Sequence, residues 1–347
     1  MIKRKITHGI ISLSICVLIS LFLVFEETLT EAARSAMHLS ALHVIPALFP
    51  YMVLSSVTVS LGMLDPICHF MPTYRLLHLP QSCAAVILTG MIGGFPTGAL
   101  GACRLYESGA LSGEDAARVC ALSSCASPAF IIGTVGALWG REYAVFFLIA
   151  QTVTAFVIAA ILARGRDAHQ AQPPEVKSPR PTPTRALCSA IHESAISCIV
   201  ICGYIVFFRV IASLIGALVP SLYEYAAAVL EFSSGAATGA AHGGVFGISI
   251  TGFAVGFAGV SVFMQTANIT SRHGIPFTPI FVTKLTHGTL LSLASAVFYA
   301  IHRPESEVAV ICTKIHSPHT PIVIISVFFA TSIIYFAMHK KYFGRRS

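Results

Sequence analysis

IGGFPTGALGACRLYESGALSGEDAARVCALSSCASPAFIIGTVG, residues 92–136, is apolar enough to lie within a bilayer but too often interrupted to form one continuous helix. Glycines and a proline cluster between residues 93 and 101, and a charged hairpin separates the two apolar halves between residues 104 and 118. Both residue types weaken a helix, and membrane proteins tolerate broken helices where the freed backbone lines a cavity. We therefore expect a broken membrane segment here, the kind in which transporters place their substrate.

The composition of the whole chain agrees with a membrane location. Of the 347 residues, 55% are hydrophobic and 11% are charged, and the mean hydropathy is +0.78. Soluble domains carry roughly 25% charged residues, so this chain cannot hide its apolar surface in a soluble core. We predict an all-α, polytopic helical membrane protein with about eight spans of about 20 residues, together with broken or re-entrant helices.

Sequence signatures of enzymes and metal sites are missing. The ten cysteines are scattered, lie mostly in apolar runs and form no CxxC pair, so we interpret them as small membrane-buried residues. HESAI at residues 192–196 lacks the second histidine of a zinc protease helix, and no phosphate-binding loop with a Gly-Lys-Ser/Thr ending is present. We expect no enzymatic activity, no metal, no cofactor and no nucleic-acid partner.

The order of apolar and basic segments predicts the topology. Three basic residues precede an apolar run at about residues 6–25, which we interpret as an uncleaved first span. A Pro-rich, basic linker at residues 164–185 and a basic C-terminus place the middle and both ends of the chain in the cytoplasm. This requires an even number of crossings in each half. Further spans are predicted at about residues 39–64, 143–162, 194–218, 276–299 and 321–338.

The two halves share a plan. We predict an N-terminal membrane repeat at residues 1–163 with a gate segment at 92–136, the cytoplasmic linker, and a C-terminal membrane repeat at 186–347 with a gate segment at 230–270. Residues 234–240 match 95–102, residues 259–265 match 126–132, and the span with Lys284 matches the span with Gln151, in the same order. Interrupted segments at matching positions of two halves are typical of inverted-repeat transporters, with the binding site between the repeats.

Residues 93–136 and 256–288 carry a family resemblance. They resemble the sporulation integral membrane protein YlbJ family, and the resemblance extends over about residues 39–299. That family has the nucleoside-recognition gate domain, also seen in concentrative nucleoside carriers and ferrous iron uptake proteins. The resemblance implies transport across the bacterial cell membrane or a membrane around the developing spore, with dipicolinic acid as the suspected cargo.

Ionisable residues inside the apolar segments are the candidates for coupling and gating. A charge at such a position costs roughly 2.5 kcal/mol or more, so Glu231 is interpreted as a coupling or gating residue, the alternative being an interfacial or ion-paired carboxylate. Arg209 and His287 are candidates for the same role, and Lys284 for offsetting the charge of an anionic cargo. Snorkelling to the headgroups, or pairing with Glu231, is the alternative for the basic residues.

Backbone amides and small polar side chains at the breaks are the candidates for binding substrate. Glycines let a half-helix end at mid-membrane and expose its amides to an anion, although ordinary helix packing also uses small residues. Serine oxygens and one glutamine amide supply further contacts. The predicted substrate-binding residues are Gly94, Pro96, Thr97, Ser124, Ser127, Pro128, Ser233, Ser234, Ser261, Gln265 and Lys284.

These features predict a multi-pass secondary transporter of a small metabolite, an anion such as dipicolinic acid or a nucleoside-like compound, acting in endospore formation. The alternative is a non-transporting membrane scaffold needed for spore-envelope assembly. The expected partners are the small-molecule substrate and the lipid bilayer; a coupling ion and a homo-oligomer are the further partners considered.

Overall fold

The computed structural model describes residues 2–64, 68, 70, 71, 73–164 and 181–302. Over these ranges the structure consists of helices joined by short turns, without a β-strand. The predicted all-α class is confirmed. The predicted last span at residues 321–338, the basic C-terminus and most of the 164–185 linker lie outside the described residues.

The chain begins with three consecutive helices. Helix α1, Ile2–Val24, is apolar and meets the amphipathic α2, Glu26–Leu39, at a bend of 88°. A π-helical turn then leads into α3, Ile45–Ser60, which keeps Pro50 inside the helix. Neighbouring helices and local adjustments make such a proline tolerable in a membrane. The predicted second span therefore contains a helix, but its apolar part, Leu48–Thr58, is shorter than a full span.

The rest of the first half contains a hairpin, an interrupted span and an uninterrupted span. The hairpin packs α5 against α6 around a break at residues 94–96, and residues 124–127 interrupt the helix that follows. Ser112 caps α7 by accepting from the Asp115 backbone N–H at 3.1 Å. The elements are α4 Thr73–Leu77, α5 Cys83–Gly93, α6 Thr97–Glu107, α7 Gly113–Ser123, α8 Pro128–Phe130, a π-helical turn Ile131–Val135, α9 Gly136–Trp139 and α10 Arg141–Ala163.

The second half contains the same three units in the same order. After the long helix α11, a hairpin breaks at Glu231, an interrupted span breaks at Ala258, and one uninterrupted helix follows. The elements are α11 Pro183–Leu218, a 3-10 turn Pro220–Leu222, α12 Tyr223–Leu230, α13 Phe232–His242, α14 Gly244–Phe257, α15 Gly259–Thr270, a 3-10 turn Ser271–His273 and α16 Thr278–Ile301.

The protein is an integral membrane protein with several apolar helices. In the described part of the chain, five helical segments are long and apolar enough to cross a bilayer, and six if the bent α1–α2 pair counts as one span. The predicted number of eight and the inverted relation of the two halves stay predictions. The five segments are Gly113–Trp139, Arg141–Ala163, Pro183–Leu218, Gly244–His273 and Thr278–Ile301.

Helices of both halves pack together around the breaks. Helices α10 and α16 run antiparallel, because the Tyr143 hydroxyl near the start of α10 donates to the His302 carbonyl oxygen just after α16 at 2.8 Å. On another side, Leu48 of α3 and Ile201 of α11 belong to one buried apolar cluster. The broken helices thus lie between the α10–α16 pair and the α3–α11 pair.

Candidate functional site

Within each half, the hairpin break touches the break of the interrupted span. A Cβ atom on Gly94 would lie 2.9 Å from the Ser127 Cβ, and one on Gly259 would lie 3.2 Å from the Glu231 Cα. Both glycines have positive φ, +74° and +82°, a conformation in which a Cβ is strained. Four interrupted backbones therefore meet as two pairs at the centre of the fold.

Aromatic rings connect the two pairs. The Phe232 ring lies 5.5 Å from the Phe95 ring in an edge-on arrangement and 4.6 Å from the Phe130 ring. Phe95 belongs to the first hairpin break, Phe130 follows the second break, and Phe232 directly follows Glu231. The residues predicted from the two halves are thereby brought to one place.

A cleft opens beside these rings, and we call it the gate cleft. Its cavity volume is about 20 Å³, enough for a water molecule, within about 400 Å³ of empty space that includes the open mouth. Predicted site residues Ser127, Ser233 and Gln265 line it. The Gln265 side chain is 6% exposed and makes no hydrogen bond with any described residue. The complete lining is Val44, Leu48, Phe95, Ser127, Phe130, Ile201, Ile205, Phe232, Ser233, Val262 and Gln265.

Glu231 caps the second half of the hairpin. Its side chain is fully buried and accepts hydrogen bonds from the Ser233 N–H at 3.0 Å, the Ser233 hydroxyl at 2.5 Å and the Ser234 N–H at 2.6 Å. A carboxylate at a helix N-terminus satisfies free amides and complements the positive end of the helix dipole. Neither alternative foreseen for it, an interfacial carboxylate or an ion pair, describes this arrangement among the placed residues.

Lys284 and His287 form a buried polar cluster with the first half. Lys284, 2% exposed, donates from Nζ to the Ser124 carbonyl oxygen at 2.6 Å, and its Nζ lies 3.3 Å from His287 Nδ1. His287 Nε2 lies 3.1 Å from the Gln151 carbonyl oxygen. In a continuous helix the carbonyl of Ser124 would accept from residue 128, but Pro128 has no N–H. The ammonium group takes the place of that donor.

Lys284 has no described counter-ion. No carboxylate in the placed part of the chain forms an ion pair with it, and its Nζ lies 5.5 Å from the centre of the Phe95 ring. A cation over an aromatic face is stabilised by the ring quadrupole, but by less than a buried opposite charge would provide. The cluster thus places the Lys284 amine, without a described counter-charge, beside one wall of the gate cleft.

A second cleft reaches the same cluster from another direction. We call it the Arg118 cleft; in it, Arg118 donates to an Asp115 carboxylate oxygen at 2.9 Å and to the Leu77 carbonyl oxygen at 2.5 Å. His287 lies in its wall. The Lys284 cluster therefore contacts both clefts, through His287 on one side and Phe95 on the other. The lining is Leu79, Arg118, Ala121, Leu122, Ala155, Ile158, Ala159, Leu162, Thr283 and His287.

The remaining predicted residues shape the breaks. Pro96 follows Phe95 through a cis peptide bond, and the Thr97 hydroxyl donates to the Gly94 carbonyl oxygen at 2.7 Å. The Ser127 hydroxyl accepts from the Phe130 N–H at 3.2 Å, with Pro128 as the first residue of α8. These contacts fix where the helices stop and restart.

The side chains of three predicted residues, Ser234, Ser261 and Arg209, make none of these contacts. Ser234 and Ser261 are buried, and the Ser234 hydroxyl has no hydrogen-bond partner among the described residues. Arg209 is half-buried on α11, lines neither cleft and makes no hydrogen bond or ion pair within the described ranges. Its coupling role stays a prediction.

Sequence reasoning missed the aromatic residues of the site. Phe95 directly precedes a break proline and Phe232 directly follows the buried glutamate, and this adjacency was the available signal. Arg118 was not a candidate either, although it lines the second cleft.

The chain is similar to a curated bacterial membrane protein. It is 22% identical over 329 residues to the sporulation integral membrane protein YlbJ of Bacillus subtilis (strain 168), and the match covers 79% of each chain. The resemblance to the YlbJ family that the gate motifs carry is thereby confirmed. No family model matches the chain, and no solved structure matches it significantly.

Proposed function

We propose that this membrane protein, a relative of a sporulation integral membrane protein, is a secondary transporter of a small metabolite in endospore formation. The cargo is an anion such as dipicolinic acid, or a nucleoside-like compound. The observation that carries the proposal is the gate cleft. It lies between broken helices of both halves, adjoins the Lys284 amine, and holds the Gln265 amide, which makes no hydrogen bond with a described residue.

The chemistry of the cleft supports a planar, negatively charged cargo. Phe95, Phe130 and Phe232 offer aromatic surface, and offset or edge-on ring pairs stabilise bound rings. Gln265 supplies a donor and an acceptor for polar atoms on the ring edge. Protonated Lys284 supplies a positive charge that offsets the free-energy cost of burying a carboxylate, because an unpaired buried ion is strongly disfavoured.

The repeated order of units supports two inverted repeats. Hairpin, interrupted span and uninterrupted span occur twice, and each hairpin break contacts the break that follows it. Substrate sites at the meeting point of such repeats are the rule in transporters of this design. In this proposal Glu231 acts in gating, by holding the start of α13 at the meeting point.

The placement in the cell is part of the same proposal. The protein lies in the bacterial cell membrane or the forespore membrane, with both termini and the basic linker in the cytoplasm. The basic residues flanking the spans support this orientation.

Uptake into vesicles tests the function. Labelled dipicolinic acid, and a labelled nucleoside in parallel, are offered to vesicles containing the purified protein, with and without an imposed pH gradient. We expect saturable uptake of one compound. Lys284→Met should lower uptake of the anion at least tenfold, which corresponds to about 1.4 kcal/mol.

His242→Gln is the control variant for this assay. His287 lies in the buried cluster, whereas His242 is exposed at the end of α13, 3.9 Å from Glu224. His242→Gln should behave like the wild type. Absence of uptake for both compounds would refute the transport proposal and favour the membrane scaffold.

A further inference from the structure

The two partners of His287 fix its hydrogen atoms. Nε2 lies 3.1 Å from the Gln151 carbonyl oxygen, which can only accept, so Nε2 carries the hydrogen. Nδ1 is then the unprotonated acceptor, and Lys284 Nζ, 3.3 Å away, is the donor. A second proton on the ring would set an N–H against the ammonium group. The Lys284–His287 pair therefore holds at most one positive charge.

The other titratable side chains near the pair are thiols. Cys120 Sγ lies 3.9 Å from the Ser124 hydroxyl, and Cys125 directly follows Ser124, whose carbonyl oxygen binds Lys284. Helix α10 contributes the neutral Gln151, the first hairpin contributes Phe95, and α16 contributes His287 itself. The charge in the neighbouring cleft, Arg118, is already paired with Asp115.

Both clefts give the pair a route to its surroundings. His287 lies in the wall of the Arg118 cleft, and Phe95, whose ring lies next to Nζ, lies in the wall of the gate cleft. A proton can thus arrive on one side while an anion binds on the other. Glu231, by contrast, lines neither cleft, and its carboxylate is held by its own helix.

We infer that the Lys284–His287 pair, and not Glu231, binds the coupling proton, so that the protein moves one proton with each anion it carries. The inference rests on the proposed transport of an aromatic carboxylate. The Lys284 amine takes a proton from water in the Arg118 cleft when a carboxylate occupies the gate cleft, and returns the proton to water when the carboxylate leaves.

Thermodynamic linkage explains the coupling. An ammonium group without a buried counter-charge is costly, and a bound carboxylate supplies that counter-charge. Carboxylate binding and Lys284 protonation therefore strengthen each other by the same factor. This linkage couples carboxylate binding to Lys284 protonation without a further residue.

Proton counting tests the inference. Vesicles containing the purified protein and an entrapped pH-sensitive dye receive a gradient of 2,6-pyridinedicarboxylate, and anion and proton entry are measured together. The wild type should carry about one proton per anion. Lys284→Arg keeps the positive charge but does not titrate, so it should carry at least tenfold fewer protons per anion. An unchanged ratio in Lys284→Arg would overturn the inference.

Nitrogen NMR of histidine-labelled protein gives a readout that does not need transport. The His287 signal, assigned with His287→Gln, should show a neutral ring with the hydrogen on Nε2 at pH 7. A doubly protonated ring would overturn the inference even if Lys284→Arg failed to fold. Lack of anion entry in the wild type would refute the proposed function and the coupling with it. The NMR signal would still show whether the His287 ring is neutral.

Discussion

At the scale of single residues, two glycines carry the close approach of the breaks. Gly94 and Gly259 both have positive φ, and each lies so close to a neighbouring segment that a Cβ atom would be crowded. Only glycine meets both conditions without strain. The positive φ and the close contact both require a residue without a side chain. The sequence shows the glycines, and the structure shows which residues they approach.

Substitution of Gly259 tests this requirement. We expect Gly259→Ala to destabilise the protein by about 1–3 kcal/mol, because the new Cβ would occupy a strained conformation against the Glu231 backbone. Gly203→Ala on α11 is the control, since a Cβ there meets nothing within 4 Å. Thermal unfolding in detergent compares the two. Equal stability of both variants would contradict the prediction.

Glu231 makes a second residue-scale prediction. A Gln side chain has one acceptor oxygen, and its NH2 group can only donate. Glu231→Gln should therefore lose at least one of the bonds to Ser233 and Ser234. Leaving a buried donor unpaired costs about 1–3 kcal/mol. The matched control is Glu31→Gln on α2, whose carboxylate is 75% exposed. A loss of thermal stability in both variants, or in neither, would argue against the capping role.

At the scale of elements, the site depends on how helices stop. The chain spaces its breaks so that α6, α8, α13 and α15 all restart near one point, after Pro96, Ser127, Glu231 and Ala258 in turn. Helix ends leave backbone groups unpaired, and Lys284 satisfies one of them from the opposite half. The interrupted span of the first half is therefore tied to the uninterrupted helix α16 of the second half.

Phe232 is where the two sets of breaks touch. Phe232→Ala should destabilise the protein by about 3–5 kcal/mol, the usual cost of deleting a buried aromatic ring, because the contacts with Phe95 and Phe130 are lost. Phe246→Ala, at an exposed position on α14, is the matched control and should cost much less. Unfolding in detergent measures both. A small effect at Phe232 would mean that the halves are held together elsewhere.

At the scale of the whole molecule, the distribution of basic residues predicts the orientation. A fluorescent protein fused within the 164–185 linker or at the C-terminus should fluoresce, because both positions are predicted to be cytoplasmic. Alkaline phosphatase at the same positions should stay inactive. Phosphatase activity at either position would contradict the even number of crossings in that half.

Local pattern was sufficient for much of this protein. Apolar runs and scarce charges determined that it is a helical membrane protein, and the Ser112 cap followed from its own neighbourhood. The glycines and the proline at residues 93–101 located the break at residues 94–96. Each of these depends on backbone preferences within a few residues, which the sequence states directly.

Only the tertiary structure decided the partners. Lys284 binds a carbonyl oxygen 160 positions away and not Glu231, and Glu231 turns to its own helix. Phe232 joins the two halves through rings that no spacing rule relates. The physical reason is that a helix break fixes where a backbone group is freed, whereas the group that satisfies it is set by the packing of helices far apart in the chain.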